Sequence, residues 1–171
     1  MRKLWVAGLC ALCLSTIGSA VAVADDDTIV LRAKLSGFNE VPPISGTGAA
    51  TFKATVHSDG SIDFTLVYEN LTGNPSAAHI HFAQKNVNGN VVVFFCGGGG
   101  KPACPAAVSG TVTGTITAAD VLAVPAQGIA AGDLAAVLRA IELGEAYTNM
   151  HTAAHPGGEI RGQISVRRDD D

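Results

Sequence analysis

Ala50-Thr-Phe-Lys-Ala-Thr-Val56, then His57-Ser-Asp-Gly-Ser61, then Ile62-Asp-Phe-Thr-Leu66 is the stretch that decides the fold. Ala50, Phe52, Ala54 and Val56 alternate with Thr51, Lys53, Thr55 and His57, and Ile62, Phe64 and Leu66 alternate with Ser61, Asp63 and Thr65. A period of two gives each run one apolar and one polar face, the signature of a half-buried strand. Ser58-Asp59-Gly60 between them supplies hairpin turn residues.

The same grammar extends in both directions. Leu31, Ala33 and Leu35 alternate with Arg32, Lys34 and Ser36, and Thr111 to Thr117 is threonine-rich and strand-like. Val91 to Phe95 is continuously apolar and β-branched or aromatic, which predicts a strand buried on both faces. Near the end, Ile160, Gly162, Ile164 and Val166 alternate with Glu159, Arg161, Gln163 and Ser165 as one last strand. The exception is Ala118–Glu145, rich in alanine and leucine. There Asp133 precedes Leu134, Val137, Leu138 and Ile141 on one helical face, and Gly144 follows as a stop. Thr117-Ala-Ala-Asp-Val marks a further brief helical turn. The expected class is all-β: an antiparallel β-sandwich or barrel, immunoglobulin-like or Cu/Zn-dismutase-like, with a short helical insertion.

The first residues read as an address. Arg2 and Lys3 precede a short apolar run, Leu4–Ile17, and Ala22-Val-Ala24 is a small-residue cleavage site that would leave Asp25 first. Residues 1–24 are therefore expected to be a cleaved signal peptide and residues 25–171 a single domain, secreted or periplasmic. Cys10 and Cys13 fall inside the removed segment, each after a leucine rather than a small residue, which argues against a lipid anchor. Removal takes away two basic residues and no acidic one, leaving nine Lys and Arg against fifteen Asp and Glu, a balance of −6. Such a chain has no basic stripe for phosphates, so nucleic acid is excluded as a partner. No membrane insertion is expected after cleavage.

The two remaining cysteines, Cys96 and Cys104, flank Gly97-Gly-Gly-Gly-Lys-Pro-Ala103. In an exported chain, a pair closing so short a loop is expected to be a structural disulfide.

Four of the five histidines fall in two places, Ala78-His-Ile-His81 and His151-Thr-Ala-Ala-His155. On a strand His79 and His81 present two imidazoles on one face, while Ile80 and Phe82 face the other way. Tyr147, Asn149 and His151 share a face of another strand, and His155 lies in the loop beyond. Nitrogen ligands suit copper or zinc, copper by intrinsic affinity. The candidate metal ligands are thus His79, His81, His151 and His155. The competing reading makes the histidines structural, bonded to backbone groups of the Pro156-Gly-Gly-Glu159 turn. His57 sits on the polar side of the hairpin as a solvated residue.

Leu35-Ser-Gly-Phe-Asn-Glu-Val-Pro-Pro43, Ala78-His-Ile-His81, Val91-Val-Val93, Thr113-Gly-Thr-Ile-Thr-Ala-Ala-Asp120, and His151-Thr152 with Pro156-Gly-Gly-Glu-Ile-Arg-Gly-Gln163 together resemble the CHRD domain family, named for chordin, in order and over essentially the whole exported part. The resemblance implies one β-sandwich CHRD domain and says little about activity. Chordin's antagonism of growth factors does not transfer, because the cysteine-rich modules that flank its copies are absent. The His-x-His stretch is also similar, in a limited sense, to the paired copper ligands of copper–zinc superoxide dismutases, although no bridging aspartate is evident.

Glu159 and Arg161 share a face of the last strand and can pair with each other, or clamp Glu40 or Asp63 across the sheet. Glu40, Glu159 and Arg161 are therefore assigned structural roles, with Pro42 and Pro43 stiffening the loop that carries Glu40. No Gly-x-Ser-x-Gly elbow or phosphate loop is present. Three functions remain: an exported binding or scaffold module that holds copper or zinc, an extracellular protein-interaction domain with structural histidines, and, more weakly, a copper-dependent redox enzyme.

Overall fold

The computed structural model describes residues 29–167. The expected signal peptide, with Cys10 and Cys13, and the expected first residue Asp25 lie outside the described residues. The elements are β1 (Ile29–Ser36), β2 (Ala49–Val56), β3 (Ile62–Glu69), β4 (Pro75–Phe82), β5 (Asn90–Cys96), β6 (Gly110–Ile116), α1 (Leu134–Glu142), β7 (Ala146–Thr152), β8 (Ile160–Gln163) and β9 (Ser165–Arg167).

The hairpin forms as its sequence dictates. β2 and β3 pair from Ala49 opposite Glu69 to Val56 opposite Ile62. The Asp59 carboxylate accepts from the Ser61 amide at 2.9 Å and its hydroxyl at 2.6 Å, and Gly60 takes the positive φ of +83° that the turn demands. Phe52, Phe64 and Leu66 are buried, whereas Thr51, Lys53 and Thr65 are exposed.

All nine strands join one antiparallel sheet in the order β5-β4-β7-β8-β1-β2-β3-β6, with β9 also on β1. The sheet curls into a near-barrel. Phe95 at one end reaches across to stack on Phe52 and Phe64 from the other side, with ring centroids at 5.3 and 4.6 Å. The seam between the end strands is dressed by the connections: the Leu122 amide donates to the Val92 carbonyl at 2.9 Å, and Lys101 Nζ donates to the Thr115 carbonyl at 3.3 Å. The Cys96–Cys104 disulfide is formed, with Cα atoms 4.9 Å apart, and ties the glycine loop to this seam.

Two expectations are corrected. Val91–Phe95 is not buried throughout: Val92, Val93 and Phe95 are, but Val91 and Phe94 are only half-buried, because β5 is an end strand. The last run divides at Ile164, whose amide donates to the Ala146 carbonyl of the β7 side. The helix forms where expected. The Asp133 carboxylate accepts from the Ala136 amide at 2.9 Å, a cap worth about 1 kcal/mol, and Gly144 follows the helix at φ +75°. Leu134, Val137, Ala140 and Ile141 are its buried face. Among the described residues no helix is long and apolar enough to cross a membrane.

What positions the site is that β4, β7 and β8 are buried on both faces. Ala78, Ile80, Met150 and Ile160 point into the main apolar core. The alternate positions carry His79 and His81 on β4, Tyr147, Asn149 and His151 on β7, and Arg161 on β8. Asn149 lies opposite both His79 and Arg161. Two loops roof this polar face. The Arg161 guanidinium donates to Val87 O at 3.3 Å and Asn88 Oδ1 at 2.7 Å, and Asn88 in turn donates to Val41 O at 3.4 Å. Polar side chains shut away from water must satisfy one another.

Candidate metal centre

Strand register assembles the histidines. His79 and His81, two apart on β4, stand beside the β7 face that carries His151, which lies opposite Ala77. Ring centroids of His79 are 4.6 Å from both His81 and His151. One ring nitrogen from each of the three lies within 4.8 Å of the others. Ligands about 2.0–2.1 Å from a tetrahedral ion stand roughly 3.4 Å apart, so small side-chain rotations would close the set. His155 is not in that group. Its backbone amide is bonded to the Thr152 carbonyl at 3.1 Å in the turn leading to β8.

The ring nitrogens are arranged as ligands usually are. His81 Nδ1 donates to the Gly89 carbonyl at 2.9 Å, and His151 Nδ1 donates to the Pro156 carbonyl at 2.9 Å. Each bond fixes a tautomer and leaves Nε2 with its lone pair, the role that outer carbonyls play at histidine metal sites. His151 Nε2 and His79 Nδ1 are buried without any partner. Burial, reinforced by the neighbouring imidazoles, drives the His79 pKa down to about 2. Burial also takes His81 to about 4 and lowers His151. The rings are therefore neutral near pH 7, the form that binds a metal.

The surrounding residues brace this cluster. Tyr147 stacks flat on His81 at 4.6 Å, and the Arg161 guanidinium lies 4.2 Å from the Tyr147 ring centre. Arg161 Nε donates to Glu40 Oε2 at 2.7 Å, so the last strand clamps Glu40 rather than Asp63, which is bonded to His57 and Thr115. His57 keeps nearly half of its side chain in solvent. Burial raises the Glu40 pKa, while Arg161 and, to a smaller extent, the Asn149 amide pull it down. Glu159 does not pair with Arg161. Its carboxylate accepts from the Thr72 amide and hydroxyl at 2.7 Å each and from the Thr152 hydroxyl at 2.6 Å, tying the turn to the start of β4.

Sequence reasoning overlooked Asn149 and Tyr147 as members of the site. The signal was available: both share the two-residue period of His151, and on the paired strand they stand directly across from His79 and His81 on the same face.

The CHRD domain family model matches residues 31–164, nearly all of the described chain. Comparison with curated proteins and with solved structures gave no match. The matched span runs from the first strand through the polar face of β8, taking in Glu40, the His-x-His pair, His151, Glu159 and Arg161, and the chain belongs to the CHRD domain family.

Proposed function

We propose that this domain is an exported binding module that holds a copper or zinc ion between His79, His81 and His151. The observation that carries the reading is the pair of unpartnered, buried nitrogens on His151 and His79, in one cluster with a His81 ring whose Nδ1 is bonded to the Gly89 carbonyl. A buried polar atom without a partner costs about 1–3 kcal/mol, and a metal would remove that cost. The disulfide accords with an oxidising compartment and hence with export.

The test is a titration of the purified domain with Cu(II) and with Zn(II), followed by calorimetry and by metal analysis after desalting. Wild type is expected to retain one equivalent of one or both ions. A His79→Ala, His81→Ala double variant, checked for folding by circular dichroism, is expected to retain none. Equal, weak uptake by the two proteins would sink the metal site and leave the protein-interaction reading, with the histidines as structure.

A further inference from the structure

Asn149 occupies a singular position in this cluster. It is 1% exposed, it sits opposite His79 in the β4–β7 register, and its Oδ1 lies 3.0 Å from His81 Nε2. On its other ring nitrogen His81 already faces the Gly89 carbonyl, which can only accept. A neutral imidazole has one N–H, so it cannot satisfy two acceptors. The proton belongs on Nδ1, and the lone pair of Nε2 is then left facing the lone pairs of an amide oxygen. Two lone-pair atoms aimed at each other at 3.0 Å, in a dry site, are repulsive unless a cation lies beside both.

The orientation of the amide is not free to relieve this. Asn149 Nδ2 lies on the Glu40 side, where an added Cβ on Gly158 would meet it at 2.9 Å and Glu40 Oε1 at 2.7 Å. There it lies beside the carboxylate to which Arg161 Nε donates at 2.7 Å. Reversing Asn149 would place its oxygen against that carboxylate. On the opposite side Asn149 Oδ1 faces His81 Nε2. The buried amide thus turns its nitrogen to the Glu40 side and its oxygen to His81, with His79 across the register.

Resting on the metal-binding reading above, we infer that the Asn149 amide oxygen is the fourth ligand, so that the site is a closed set of three imidazoles and one carbonyl oxygen. The 3.0 Å separation from His81 Nε2 is close to the roughly 3.4 Å between neighbouring ligands of a tetrahedral ion. The set contains no sulfur and suits a divalent ion, Cu(II) or Zn(II). Four protein ligands leave no position for a substrate, which is the pattern of a structural or storage site rather than a catalytic one. His155 is then not needed.

The experiment uses Cu(II) and Zn(II) as probes on wild type, His79→Ala plus His81→Ala, Asn149→Ala, and the pair Glu40→Gln and Glu40→Gln plus Asn149→Asp. Affinities are measured by competition with a chelator, and the Cu(II) forms by electron paramagnetic resonance. Asn149→Ala is expected to lose at least tenfold in affinity and to change the copper spectrum. In the Glu40→Gln background, Asn149→Asp is expected to keep or raise affinity, because it retains the oxygen. If the amide acts instead by donating its N–H to His81, the aspartate loses that function. A tenfold drop there would overturn the inference, as would an Asn149→Ala protein with unchanged affinity and spectrum. The aspartate comparison decides the matter if Asn149→Ala does not fold. Retention of metal that depends on His79 and His81 but not on Asn149 overturns this inference alone; no retention by wild type overturns the metal site itself.

Discussion

Arg161 and Glu40, 121 residues apart in the chain, meet at 2.7 Å with side chains only 5% and 2% exposed. The pair joins the loop after β1 to β8. The same guanidinium holds the β4–β5 loop through Asn88 and covers the Tyr147 ring. Burying two charges is costly, and their attraction offsets that only when the remaining donors and acceptors are also matched. Here the donors of Arg161 are well matched, while Glu40 Oε1 makes no hydrogen bond of ordinary length, with the Asn149 amide nitrogen on its side.

Removing one partner of this pair should therefore be severe. Arg161→Ala is expected to lower unfolding free energy by about 3–5 kcal/mol, because it leaves Glu40 buried and uncompensated. Arg161→Ala plus Glu40→Ala should cost less than the sum of the two single changes. Urea denaturation of the four proteins measures this, and strictly additive losses would show that the pair is not coupled.

Gly158 lies at φ +124°, and a Cβ there would press on Glu40 Oε1 at 2.7 Å and on Asn149 Nδ2 at 2.9 Å. Both strain and collision follow from a single methyl group. Gly158→Ala is expected to destabilise by more than about 2 kcal/mol, whereas Gly157→Ala, with open space around its Cβ, should cost under about 1 kcal/mol. Thermal melts of the two variants provide the comparison.

Acid should weaken the metal-free protein through its buried rings. The folded pKa values of His79 and His81 are depressed to about 2 and about 4, and that of His151 is also lowered, whereas unfolded histidine titrates near 6.5. Above roughly pH 6.5 these rings are neutral in both states. Below it the unfolded chain binds protons that the native state refuses, so stability falls as pH falls. Each such ring shifts the folding equilibrium up to about tenfold per pH unit, and His81 stops contributing near pH 4. The raised pKa of Glu40 acts oppositely, favouring the native state at low pH. Denaturation midpoints between pH 7 and pH 4.5 should therefore drop steeply in wild type and more gently in His79→Asn plus His81→Asn. Parallel curves would count against the burial of these rings.

The disulfide closes a loop of eight residues' separation. Its loss in a Cys96→Ala, Cys104→Ala variant is expected to cost about 2.5 kcal/mol through the greater freedom of the unfolded chain. The denaturation midpoint should fall with little change in far-ultraviolet circular dichroism. A variant as stable as wild type would mean that Phe94, which packs over Gly98 and Gly99, already holds the loop.

Much of the fold could be read directly. The hairpin from Ala50 to Leu66 carried both its period and its turn, and the helix carried Asp133 at one end and Gly144 at the other. These are local signals, set by side-chain alternation and by backbone preferences within a few residues. Val91–Phe95 misled because an apolar run does not tell whether its strand lies at the centre or at the end of a sheet. The His-x-His pair was legible for the same local reason, since two residues apart on a strand share a face.

By itself, the amino-acid sequence determined the β class, the hairpin, the helix with its cap, the cysteine pair and the placing of two imidazoles side by side. Only the tertiary structure decided that His151 joins them while His155 does not, that Arg161 takes Glu40 while Glu159 takes Thr72 and Thr152, and that Asn149 stands at the centre. The physical reason is sequence distance. These contacts join residues up to 121 apart in the chain, and their geometry follows from the register in which β4, β7, β8 and β1 pair. They also depend on two loops that cover a polar face alternation alone would have left in water.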